Sequence, residues 1–200
     1  MPTKGKIGRN IMKTMYGYKL FEQDSKGNLY PLFIDKKEWV RLGHWIPAKF
    51  VPTKGFAPRG GWHIGTIPDA PWLRSADGSY RSQRGKTFKR VWGLVRFNVT
   101  NDYNSYVKTL PKKCIVDGCP VNGFYVFREV GKGDWYITSD LFVERVLTDE
   151  EVEAICLEMG HDRAQAFEPY RLAMAKSAQT RLAKHNAKEA KKSKKAKKSN

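Results

Sequence analysis

Cysteine is scarce in this chain. Three in 200 residues, an odd number, supply no disulfide framework and point to a reducing compartment. No run of about 18 apolar residues exists, so no membrane-spanning helix is expected. The N-terminus carries charge without the apolar stretch of a secretory signal. Acids are few, 20 against 37 lysines and arginines, for a net charge of +17. Several chemistries lack their residues. No Gly-Lys-Ser/Thr follows a glycine-rich loop at Walker A spacing, and no G-x-G-x-x-G fingerprint occurs. Helix-turn-helix, zinc-finger and RRM signatures are missing too, which argues against specific base readout. Cys114 and Cys119 would have to recruit two of His44, His63 and His161 to hold zinc, so no metal site is expected.

What remains is enough for a core: 40% of residues are hydrophobic and 12% aromatic. The charge is uneven. Residues 1–14 hold Lys4, Lys6, Arg9 and Lys13 without an acid, and residues 176–200 hold ten lysines and arginines against Glu189 alone. The ends contribute +4 and +9, which leaves +4 for residues 15–175. This distribution predicts a basic arm over 1–14, a globular domain over 15–160, a helical extension over 161–187 and a lysine-rich tail over 188–200.

Tyr16–Phe21 and Leu29–Ile34 are strand-like runs joined by the turn-forming Asp24–Asn28, which predicts a hairpin with Pro31 at a strand start or edge. Residues 35–87 combine Trp39, Trp45, Trp62 and Trp72 with many glycines and prolines and little periodicity. Ordered loops and short strands are expected there, with Ser75–Lys89 polar enough to be mobile. Residues 90–99 alternate, with Val91, Gly93, Val95, Phe97 and Val99 on one face. Gly123–Val130 and Trp135–Ser139 flank a Gly-Lys-Gly-Asp turn and form a second hairpin. Leu141–Leu147 is a further strand.

Thr148 and Glu151 form a capping box, followed by Val152, Ile155, Cys156 and Met159 on one helical face and Gly160 as the stop. A second helix is expected within 162–188, kinked or starting near Pro169. The lysine run beyond it should stay unfolded by charge repulsion until an acidic partner binds. The fold class is α+β: a twisted, mostly antiparallel sheet with aromatic, glycine- and proline-rich loops, C-terminal helices and a disordered basic tail.

Two segments suggest function. Lys188, Lys191, Lys192, Lys194, Lys195, Lys197 and Lys198 would contact DNA or RNA without sequence preference by displacing condensed counterions. A solubilising role, or docking on an acidic protein, is the alternative. In Gly60–Ala70, glycines beside Trp62 and His63 allow close backbone approach to a ligand, the indole offering a stacking wall and the imidazole a polar handle. Alternatively, Trp62 is a core anchor and His63 bonds a loop carbonyl.

The succession Tyr18-Lys19-Leu20-Phe21, Leu29–Ile34, Gly61–Gly65 with Ile67–Pro71, Asp134–Ile137 and Val146–Val152 resembles an uncharacterised domain of phages and mobile elements. That resemblance implies a viral origin and a place in the host cytoplasm or the virion. More distantly, the order of elements resembles ADP-ribosyltransferase folds. This implies that Tyr18, Gly61, Trp62 and His63 would grip NAD, and that Glu129 or Glu144, with His63, would act in catalysis at an oxocarbenium-like centre. Both glutamates have the ordinary alternative of solvent-facing strand positions. No cofactor is expected outside that reading. The expectation is therefore a phage or mobile-element protein held to nucleic acid by basic ends, its central domain binding a ligand or a protein. The alternatives are an NAD-dependent transferase and a structural or host-interaction protein.

Overall fold

The computed structural model describes residues 12–51, 60–109, 120–129 and 133–196. Nine strands form in chain order: β1 (Thr14–Asp24), β2 (Leu29–Tyr30), β3 (Trp45–Pro47), β4 (Trp62–Gly65), β5 (Phe88–Asn98), β6 (Asn101–Asp102), β7 (Gly123–Glu129), β8 (Gly133–Thr138) and β9 (Asp140–Val146). Three helices join them: α1 (Asn104–Thr109), α2 (Asp149–Glu158) and α3 (Arg163–Ala196). The strands make one open sheet in the order β3-β9-β5-β1-β4-β8-β7-β6, with β2 paired to β1 off that path. The fold is α+β and the sheet mostly antiparallel, as the alternation and turns imply; β6 and β7 run parallel.

The long β1–β5 pair, in register from Thr14↔Asn98 to Asp24↔Phe88, is the spine. Its alternation serves two cores, because both faces of the sheet are covered. Phe21, Val95 and Phe97 point to a cluster with Leu29, Val40, Ile64, Leu141 and Val143. Leu20 and Trp92 point the other way, to Ala70, Leu147 and Val152. On the first side the sheet coils until Phe97 meets Tyr136 of β8, ring centroids 4.9 Å apart, without closing. Gly17 permits this: a Cβ there would lie 2.5 Å from Ile64 Cγ2. On the second side α2 forms the lid.

The cap of α2 is as the sequence implies, with the Glu151 amide donating to Thr148 Oγ1 and the Thr148 amide donating to Glu151. Val152 and Cys156 are buried beneath it. Burial pushes the Cys156 thiol up to about 11, which makes it an inert core group. Met159, expected on the same face, is exposed, because the helix ends at its C-cap there and Gly160 turns the chain with φ +68°.

Other expectations need correction. The second strand of the first hairpin pairs over Leu29 and Tyr30 alone, since Pro31 has no amide to continue the ladder. Ser75–Lys89 is tied down: Tyr80 is half-buried with its ring edge-on to Trp92, and Arg84 lies 4.6 Å from the centre of the Tyr30 ring. The tail expected to be unfolded is helical through Ala196, continuing α3 across Pro169. Alanine and lysine are good helix formers, and elongating an existing helix avoids the cost of nucleation. Cys114, Cys119, most of the N-terminal arm and the last four residues lie outside the described residues. No described helix is long and apolar enough to cross a membrane.

Replacing Thr148 by alanine is expected to cost about 1 kcal/mol, the usual worth of an N-cap, read as a lower urea midpoint at unchanged slope.

Candidate functional site

Strand β1 has two partners on the edge opposite β5. It pairs with β4 at Tyr18↔Gly65 and with β2 from Glu22↔Tyr30. Continuing the first register would set Leu20 opposite His63, but the strands part after Tyr18 and a pocket opens in the fork. Its volume is about 400 Å³, within the ordinary range for small-molecule sites. Trp62, Trp72, Trp135 and Phe127 make aromatic walls, and Leu20, Leu32 and Phe33 add apolar surface.

A lysine lies in this apolar setting. Lys19 Nζ donates to the His63 carbonyl at 3.0 Å, taking an acceptor that β1 would have used had the sheet continued. It lies 5.2 Å from the Trp62 ring centre and 5.8 Å from that of Phe21, cation–π contacts worth about 1 kcal/mol each. Trp62 is held in place by its own indole N–H, which donates to the Ile46 carbonyl at 2.9 Å. Lys19 is half-buried because the pocket reaches it, and desolvation lowers its pKa to about 8. One of the two acids in the lining belongs to another cation: Glu38 meets Lys49 at 2.8 Å, and this bond, helped by the nearby charge of Asp35, raises the Lys49 pKa.

A second constellation stands behind the Trp72 wall. Asp69, its side chain 0% exposed, accepts from Tyr80 Oη at 2.7 Å and from the Arg74 guanidinium, and it meets His161 Nε2 at 2.8 Å. The Arg74 side chain is 6% exposed and also donates to the Arg163 carbonyl at 3.2 Å. Arg163 pairs with Glu153 at 2.8 Å, which ties α2 to the start of α3. Burial, reinforced by the Asp69 charge, pushes the Tyr80 hydroxyl up to about 12, so it remains a donor. Asp69 thereby clamps the Pro71–Leu73 turn, a wall of the pocket, to the α2–α3 junction. Trp72 extends the link through ring contacts with Trp135 at 5.7 Å and Tyr170 at 6.4 Å.

The pocket gathers three of the residues expected to bind ligand, Gly61, Trp62 and His63. At Gly61 the close approach is to a neighbouring strand: with φ +135°, a Cβ would lie 2.6 Å from Ile137 Cγ2. Tyr18 is outside the lining; it packs against the second core under α2, where burial raises its pKa. Glu144 of β9 pairs with Arg96, whose guanidinium lies 4.6 Å from the Phe142 ring centre, and is also outside the lining. Glu129 ends β7 and its side chain lies outside the described residues, as do those of Lys191, Lys192, Lys194, Lys195, Lys197 and Lys198. Lys188 is exposed on α3.

Sequence reasoning passed over Lys19 and Asp69. A period-two reading of Met15, Gly17, Lys19 and Phe21 would have flagged a lone cation on an apolar strand face. Nothing local marks Asp69, whose partners are distant in sequence. Comparison with protein-family models, curated proteins and solved structures finds no match to this chain.

Because Lys19 binds its proton less tightly in the folded chain, the unfolded state carries more protons between about pH 8 and the ordinary lysine pKa near 10.5. Wild-type stability relative to Lys19→Met is therefore expected to rise with pH across that window. Urea midpoints of the two proteins measured from pH 7 to 10.5 check this; parallel pH profiles would contradict it.

Proposed function

We propose that this chain binds DNA or RNA without sequence preference through the basic outer part of α3, and that its body is a ligand-binding module. One observation carries the first half: residues 175–190 of α3 are exposed at every position. Such a helix has no protein surface to stabilise it and presents Lys176, Arg181, Lys184 and Lys188 to solvent. Seven of the ten cations in 176–200 fall at or beyond Lys188. Lysines spaced three or four apart on a helix repel one another, and a phosphate backbone relieves that repulsion while shedding counterions.

In this reading the protein belongs to a phage or mobile element and works where nucleic acid is concentrated, in the host cytoplasm or the virion. The helix supplies affinity and the body supplies selectivity for something else. The fork pocket supports the second half, being concave, aromatic and provided with one polar anchor. It favours binding over ADP-ribosyl transfer. Of the residues that the transferase reading requires, Tyr18 and Glu144 lie outside the lining, and Glu144 is engaged by Arg96.

Removing residues 186–200 is expected to weaken binding to a duplex or single-stranded RNA and to flatten its dependence on salt, each lost phosphate contact lowering the log–log slope by about 0.7–0.9. Fluorescence anisotropy between 50 and 200 mM salt measures both, concentrations at which such contacts are strongly salt-dependent. An unchanged slope would remove the nucleic-acid reading.

A further inference from the structure

We infer that the fork pocket takes a small apolar monocarboxylic acid, its carboxylate paired with the Lys19 ammonium and its body lying along the walls formed by Trp62, Trp72 and Trp135. The inference rests on the ligand-module reading above and names the ligand's chemistry.

Three observations lead to it. First, an ammonium has three donors. Lys19 Nζ places one on the His63 carbonyl, and among the described residues no carboxylate lies within 4 Å of it. The rings of Trp62 and Phe21 compensate part of its desolvation but accept no strong hydrogen bond. A half-buried cation against apolar walls still loses part of its hydration, and a ligand anion would supply a charged partner. Second, the acids at the rim do not compete. Glu38 is bonded to Lys49, Asp35 acts through its charge on the same lysine, and neither acid forms an ion pair with Lys19. Third, the rest of the surface suits a hydrocarbon or ring. Leu20, Leu32 and Phe33 face the aromatic walls, and desolvating them favours an apolar body.

Charge count narrows the class. Of the two lysines among the described lining residues, Lys49 is bonded to Glu38 and Lys19 has no carboxylate partner. A single positive charge matches a monoanion. A phosphate monoester, with close to two negative charges, would leave one of them uncompensated in an apolar setting. A neutral molecule would leave the ammonium without its partner.

Titration calorimetry with octanoate and octanol on the full-length protein tests this, using wild type, Lys19→Met and Lys19→Arg. Octanoate is expected to bind wild type, to weaken by about tenfold or more in Lys19→Met, and to recover partly in Lys19→Arg, as a charge-assisted hydrogen bond implies. Octanol should bind wild type more weakly than octanoate and should not be weakened by Lys19→Met. Both variants remove or replace a half-buried charge without opening a cavity, and urea midpoints at or above that of wild type in Lys19→Met confirm that it folds. If octanoate binds wild type and Lys19→Met equally, or octanol binds wild type as well as octanoate, the acid assignment fails while the ligand-module reading survives. If neither probe binds wild type, both fail.

Discussion

The carboxylate of Asp69 is the interaction on which the arrangement of this protein depends. It comes from an irregular segment between β4 and the Pro71–Leu73 turn, and it is completely buried. Its partners come from three places: Arg74 just beyond the turn, Tyr80 from the following loop, and His161 from the junction of α2 and α3. Burying that charge alone would be prohibitive, and what makes it tolerable is the completeness of its bonding. Removing one member of such a pair typically costs about 3–5 kcal/mol, because the remaining charge is stranded. A single group thus fixes both a wall of the pocket and the direction in which the basic helix leaves the body.

The pocket has a separate origin, in topology. A sheet strand ordinarily has one neighbour on each edge, but β1 shares one edge between β4 and β2. Between the two pairings the ladder is interrupted, and Lys19 satisfies a carbonyl that the interruption would leave exposed. Its amine is kept in an apolar setting at a cost to stability, a common compromise where a site must be ready for a ligand. The cavity is therefore framed by the spine of the fold, with Trp62 oriented by the Ile46 carbonyl and Trp72 held by the Asp69 clamp. Rigid walls of this kind limit the ordering cost of binding.

Much of the fold was legible in the sequence because it rests on local, periodic signals. The alternation of Val91, Val95 and Phe97, the pairing of the two strands of the second hairpin and the Thr148–Glu151 box each have a short-range physical cause, and each appears in the structure, while Gly131 and Lys132 of the turn lie outside the described residues. The strand expected over Leu29–Ile34 stops before Pro31, whose missing amide the sequence does show. The helix continues beyond Lys188 to Ala196, against the expectation of an unfolded run there, because alanine propensity and helix elongation outweigh the repulsion among lysines. The site was only partly visible. Gly61, Trp62 and His63 stood out by composition, and all three line the pocket. Lys19 and Asp69 did not, since their meaning depends on contacts such as Asp69 to His161, 92 positions apart. Tyr18 stood out by its place in the order of elements, yet its side chain belongs to the other face of the strand that carries Lys19.

The most direct test of the coupling is hydrogen exchange in Asp69→Asn, followed residue by residue against wild type. If Asp69 joins pocket wall to helix, the amides of Leu73, Arg74 and Phe167 should lose protection together while those of Phe21 and Val95, in the β1–β5 spine, keep theirs. Loss of protection at Phe167 with Leu73 and Arg74 unchanged, or the reverse, would contradict the account, since the two halves would then be held independently.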